Sequence, residues 1–211
     1  MNLYKPNSES VSIILPTFNR ANYLKRSIDS VTAQSYNNWE LIIIDDGSSD
    51  DTKKVFEPFL MRFKNIKYYY HSNRGVALSM NSGIKKSTGK FITFLGSDDE
   101  YLPDHLKLRV DFLNSHENID LIHSTAEIIG DEYVKDKNDL SKKIHLNDCI
   151  LGGTLFGRRY VFEELNGFRK VNYSPESDFI ERAEKKFSIS KLDLPTYIYY
   201  RNTPDSICNS I

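Results

Sequence analysis

Over the first 125 positions, short apolar runs alternate with stretches of amphipathic spacing. Residues 11–15 (VSIIL) are rich in β-branched side chains and stop at Pro16, which predicts a buried strand. From Arg20 the period changes. Leu24, Ile28 and Val31 recur at i, i+4 and i+7 with polar residues between them, the spacing of a helix face. Residues 41–44 repeat the buried-strand signal and run into the turn Asp45-Asp46-Gly47-Ser48-Ser49. The pattern then predicts a helix over 51–63 interrupted by Pro58, a strand over 66–70, a helix over 75–86 and a strand over 91–95. This strand also ends in an acidic turn, Gly96-Ser97-Asp98-Asp99. Pro103 opens a helix to Ser115, and residues 119–123 form a fifth strand.

Strands alternating with helices imply βαβ units and a mostly parallel sheet with right-handed crossovers. Ligands of such sheets bind beyond the carboxyl ends of the strands. Both acidic turns sit at such ends, on one rim. After residue 125 the alternation breaks down. Residues 131–143 read as a polar loop or hairpin, and 150–157 as a glycine-rich segment. Helices are expected over 158–166, stopped by Gly167, and over 177–186, with Pro175 and Glu176 near its start. Short strands over 189–192 and 197–200 follow. No linker or repeat interrupts the chain, so a single domain is expected.

Composition narrows the function. The 211 residues are 39% hydrophobic and 27% charged, an ordinary globular balance. Lys plus Arg is 28 against 29 Asp plus Glu, which argues against a broad basic face for nucleic acid. The N-terminal MNLYKPNSES lacks the apolar core of a signal peptide. No apolar run approaches the roughly 20 residues that span a bilayer. The expectation is a cytoplasmic protein without a transmembrane segment. Cys149 and Cys208 cannot make a CxxC zinc site and read as free thiols. There is no Walker A loop, no GxGxxG after the first strand and no GxSxG elbow. Nucleoside triphosphatases, dinucleotide oxidoreductases and α/β-hydrolases lose ground accordingly. The histidines show no HExxH spacing, and the tyrosines at 68–70, 197, 199 and 200 read mainly as strand packing.

The acidic turns carry the chemistry. Helix capping accounts for Asp50 and Asp51 but less well for Asp45 and Asp46, which directly follow an apolar strand. Asp46 is placed to accept hydrogen bonds from a ribose hydroxyl or a base N–H. Asp98, Asp99 and Glu100 are hard oxygen donors, suited to Mg2+ or Mn2+ and not to zinc. An ion there would bridge phosphate oxygens and neutralise a diphosphate leaving group. The bland reading of this turn is again capping, ahead of Pro103.

Four stretches resemble family 2 inverting glycosyltransferases of the GT-A fold: VSIILPTFNRANYLKRSIDSVTAQSYNNWELIIIDDGSSDDT, NRGVALSMNSGIKKSTGKFITFLGSDDEYLPDHL, GGTLFGRRYVFEELNGF and PESDFIERAEKKF. The first, with its proline turn and DDGS, is highly specific. The resemblance implies a Rossmann-like, mostly parallel α/β sheet flanked by helices. Residues 1–125 would form the nucleotide-sugar-binding half and residues 126–211 the acceptor and base half. It implies a nucleotide-sugar donor, with UDP expected, a Mn2+ or Mg2+ cofactor, and a glycan or lipid-linked glycan acceptor. A lipid-linked acceptor would place the chain at the inner face of the membrane, and a homo-oligomer is compatible with this reading. By position, Pro16, Thr17 and Asn19 match the loop bordering the nucleotide, and Asp46 matches the acid on the base and ribose. Asp98 and Asp99 match the metal motif, with Asp98 the direct ligand. Gly152, Gly153 and Thr154 match a stretch near the sugar and acceptor. Asp178, with Glu176 two residues earlier, matches the region supplying the general base. Arg201, after the aromatic strand YIYY, is placed to close over the diphosphate or to stand solvated at an edge.

Three positions depart from the family pattern. Gly96 replaces the first acid of the metal motif, Met80 an arginine of the donor site, and Ser177 an acid beside the base. Arg74 or Arg201 would restore the charge lost at Met80. These departures motivate a rival, a catalytically silent sugar-nucleotide or glycan-binding module. A sugar-phosphate nucleotidyltransferase is a second rival. It needs a glycine-rich phosphate loop after the first strand, and PTFNRAN has no glycine.

Overall fold

The computed structural model of the protein describes residues 9–136, 139, 141–171 and 174–203. Cys208 lies outside the described residues, and Cys149 Sγ donates to the His145 carbonyl at 3.6 Å. The first half follows the alternation in the sequence. It runs β1 (Val11–Thr17), α1 (Ala21–Thr32), β2 (Trp39–Asp45), α2 (Thr52–Arg62), β3 (Ile66–Tyr70), α3 (Val76–Lys86) and β4 (Phe91–Phe94). The chain continues through β5 (Glu100–Tyr101), α4 (His105–Ser115), β6 (Leu121–Ser124), β7 (Glu127–Ile129), β8 (Tyr133–Lys135) and β9 (Lys143–His145). It ends with β10 (Phe156–Arg158), α5 (Arg159–Glu164), α6 (Pro175–Ala183), β11 (Ile189–Leu192) and β12 (Tyr197–Tyr200).

The seven strands of the main sheet lie in the order β11-β6-β10-β4-β1-β2-β3. All pairs are parallel except those of β10, which runs against both its neighbours. The two faces are read from alternation along β1. Val11, Ile13 and Leu15 pack with Leu24 and Ile28 of α1, Phe56 of α2 and Leu106 of α4. Ile14 points the other way, onto Met80 and Ile84 of α3 and the cluster containing Phe162 and Phe179. Gly83 brings α3 close to the sheet: a Cβ there would lie 2.3 Å from Cγ2 of Ile14.

Several elements differ from the sequence expectation. β1 runs on through Pro16, which pairs in register with Ile44. The Ile14 carbonyl accepts from Leu95 on the β4 side, and the Thr17 carbonyl accepts from Asp46 on the β2 side. Pro16 therefore turns its missing N–H toward β4, beyond the end of that strand, where no ladder bond is lost. β10 was hidden in the glycine-rich segment because three residues carry too little periodicity to read. The acidic turn after β4 does not cap α4, because β5 intervenes. β5, β12 and β7 form a second sheet, and β8 and β9 pair as an antiparallel hairpin within the expected polar stretch.

Candidate active site

The turn after β2 is built around carboxylates that serve the backbone. Asp45 accepts from the Ser48 N–H at 2.8 Å and from the Tyr68 hydroxyl at 2.9 Å. Asp46 accepts from the N–H groups of Arg74 and Gly75, both at 2.8 Å, and His71 Nδ1 stands 3.1 Å from its Oδ1. It thus ties the start of α3 to the end of β2, where Gly75 takes φ +92°. Asp50 serves two helices, accepting from Ala21 at 3.1 Å and Thr52 at 3.0 Å. Burial works against its charge, but these hydrogen bonds prevail and hold its pKa below the usual range. Asn19 joins the β1 and β2 turns. Its Oδ1 accepts from the Ser49 N–H at 2.8 Å and its N–H donates to Ser48 Oγ at 2.9 Å. It sits at φ 51°, a left-handed conformation that asparagine tolerates. Thr17 is buried, and its Oγ1 has no hydrogen-bond partner among the described residues.

In the turn after β4 the two acids part company. Asp99 is 3% exposed and both its oxygens are taken, Oδ2 by the Tyr197 hydroxyl and Oδ1 by the Tyr200 N–H at 2.9 Å. Burial and the charge of Asp98 push its pKa up to about 8, against those hydrogen bonds. Asp98 faces the β1–α1 region, with Arg20 Nε 4.0 Å from its Oδ2. Burial raises its pKa, and Arg20 and Arg26 oppose the shift. Arg26 donates to the Asp98 carbonyl, pairs with Glu100 at 3.1 Å and lies 3.5 Å above the Tyr200 ring. Gly96 has no room for the acid it replaces: a Cβ would lie 2.3 Å from Asp99 Oδ2. Among the described residues, no three His, Cys, Asp or Glu side chains gather to cage an ion by themselves. Asp99 lines the neighbouring cavity but has both oxygens engaged, and Asp98 is not among the lining residues. So few available carboxylate oxygens suit only a divalent ion held chiefly by substrate phosphates and water, the usual habit of Mg2+.

Beside this turn a cavity of about 740 Å³ opens at the carboxyl ends of β1 and β4, lined there by Pro16, Leu95 and Gly96. Arg74 lines it from the loop before α3, Met80 from α3, Val134 and Ile144 from the hairpin, and Gly152 and Gly153 from the segment before β10. Thr154 is buried behind them, its hydroxyl bonded to the Leu151 carbonyl at 2.8 Å. Glu176 lines the cavity and Asp178 does not. Burial raises the Glu176 pKa, opposed by its own N–H and by Ser174. Asp178 instead pairs with Arg182 at 2.9 Å, and that guanidinium also holds the carbonyls of Leu165 and Gly167. Arg201 is not among the lining residues. Its N–H bonds the Ile129 carbonyl at 2.9 Å.

The sequence model for glycosyl transferase family 2 matches residues 12–180. The chain belongs to this family. It is 34% identical over 191 residues to an uncharacterized glycosyltransferase of Rickettsia prowazekii, covering 84% of this chain and 58% of that one. It is 36% identical over 141 residues to the UDP-Glc:alpha-D-GlcNAc-diphosphoundecaprenol beta-1,3-glucosyltransferase of Escherichia coli, covering 66% and 54%. The chain thus spans less than two thirds of these relatives' length. S. aureus TarS in complex with UDP superposes with a TM-score of 0.75 at 21% identity, over 90% of this chain and 60% of that one. The mannosyltransferase PcManGT from Pyrobaculum calidifontis, bound to GDP-Man and Mn2+, gives 0.74 at 17%, over 95% and 59%. The fold is GT-A.

Within this family 2 fold, sequence reasoning passed over two residues beside the expected ones. His71 was set aside for want of a spacing motif, yet it flanks Asp46. Tyr197 was read as strand packing, yet its hydroxyl reaches the acidic turn. No local signal marks either, because each partner comes from a different strand end.

Proposed function

We propose that the chain is the catalytic domain of an inverting glycosyltransferase. It would move a sugar from a nucleoside-diphosphate donor, UDP-sugar first, to a hydroxyl of a glycan or lipid-linked glycan. The observation that carries this reading is the shared cavity: Glu176, a recessed carboxylate, lines the same space as the carboxyl ends of β1 and β4. A raised pKa suits Glu176 to general-base work near neutral pH. Glu176 takes the proton of the acceptor hydroxyl as its oxygen attacks the anomeric carbon. The bond to the sugar forms as the bond to the diphosphate oxygen breaks, on the opposite face, so the configuration inverts. No enzyme nucleophile is required.

On the donor side, Asn19 and Asp46 border the nucleotide. Each Asp46 oxygen accepts a backbone N–H and keeps a further lone pair for a ligand. Arg74 lines the cavity and supplies positive charge where Met80 does not. Asp98 would hold Mn2+ or Mg2+ together with diphosphate oxygens. When bound, that ion offsets the charge of the leaving diphosphate. Among the described residues no helix is long and apolar enough to cross a membrane. The undecaprenol-linked substrate in the E. coli relative's name supports a lipid-linked acceptor.

The deciding experiment is nucleotide release from a panel of UDP-, GDP- and dTDP-sugars, with and without Mn2+. Release from one donor is expected. Binding without release from any would favour a silent binding module. Calorimetry tests the ion: Asp98→Asn should abolish the gain in UDP affinity that Mn2+ confers. Equal affinity with and without Mn2+ in both proteins would refute the role of Asp98.

A further inference from the structure

One side chain touches both walls of the cavity. Tyr197 is 2% exposed on β12, and its hydroxyl donates to Asp99 Oδ2 and accepts from the Gly96 N–H at 3.2 Å. Its ring lies against the acceptor-side segment so closely that a Cβ on Gly153 would sit 2.2 Å from Cε2. The backbone of β12 adds a second tether, the Tyr200 N–H on Asp99 Oδ1 at 2.9 Å. Together these contacts occupy both oxygens of Asp99, while Asp98 faces Arg20.

We propose that Tyr197 is a positioning residue that couples the acidic turn to the Gly152–Thr154 segment, so that the donor-side and acceptor-side walls move as one. The coupling needs the hydroxyl at one end and a glycine at the other. A side chain at position 153 would push the ring, and with it the hydroxyl, away from Asp99 and Gly96. The inference deepens the transferase reading, and it rests on that reading only for the effect on donor binding.

Two variants test it. Tyr197→Phe keeps the ring and removes the hydroxyl. Gly153→Ala displaces the ring from the opposite side. Both should remain folded by circular dichroism. In ligand-free protein, amide hydrogen exchange at residues 96–99 should speed up in both variants. UDP affinity measured with Mn2+ should fall about tenfold in each, and affinity without Mn2+ should hold. The double variant should be no worse than the weaker single one. Unchanged exchange at residues 96–99 in folded Gly153→Ala would overturn the coupling. So would an equal loss of UDP affinity with and without Mn2+, which a merely structural role would produce. Faster exchange in both variants, with no Mn2+ effect on UDP even in the wild type, would sustain the coupling and refute the ion at Asp98 instead.

Discussion

Glu176 and Asp178 stand two residues apart on α6 and do different work, because two helical steps turn a side chain through about 200°. Glu176 enters the cavity, while Asp178 meets Arg182 one turn along. Glu176→Gln should therefore lower kcat by roughly 10²–10⁴-fold, the usual worth of a general base, with UDP affinity unchanged by calorimetry. Asp178→Asn should leave turnover per folded molecule within about twofold. It should lower stability by about 1 kcal/mol in urea titration, the scale of a partly exposed ion pair. An inverse pattern would return the base to Asp178. In the β2 turn, by contrast, both acids are engaged, Asp45 by Ser48 and Tyr68 and Asp46 by the Arg74 and Gly75 N–H groups.

At the scale of elements, the turn between β4 and β5 explains why a glycine stands at position 96. β12 brings Tyr197 and Tyr200 against Asp99, and that carboxylate fills the space a side chain at 96 would need. Restoring the family's acid should thus fail. Gly96→Asp should destabilise the protein by about 1–3 kcal/mol, as overpacking does, read as a lower melting temperature. It should also weaken Mn2+-dependent UDP binding, whereas an enhanced site would show Gly96 to be a simple loss.

Outside the site the molecule buries His105 and half-buries His123. Burial, aided by Lys191, lowers the His123 pKa to about 4, and burial with Arg109 nearby also lowers that of His105. His105 stacks on Tyr101 at 3.7 Å between ring centroids. A folded pKa below the unfolded value near 6.5 means that the unfolded chain binds a proton the native state refuses. Stability from these groups is complete above about pH 6.5 and is lost as pH falls toward about 4. Asp99 and Glu176, whose pKa values burial raises, act in the opposite sense. The measurement is therefore a difference. Urea midpoints between pH 6.5 and 4.5 should fall less steeply for His123→Leu than for the wild type. Parallel profiles would show that His123 titrates normally.

Local periodicity was enough for the first half of the fold. Strand and helix periods are set by contacts within a few residues, and both acidic turns were placed on one rim by topology alone. The sequence also carried the family, through a run of residues dense enough to be specific. It could not show β10, or β5 and β7, the two- and three-residue strands that join the expected strand β12 in the second sheet only because partners meet them. Which acids stay available depends on contacts made only in the folded chain. Asp99 is claimed by Tyr197, 98 positions away, and Asp46 by amides 28 and 29 positions away. A carboxylate's role depends on which donors the folded chain brings within about 3 Å of it, and those donors are not its neighbours in sequence.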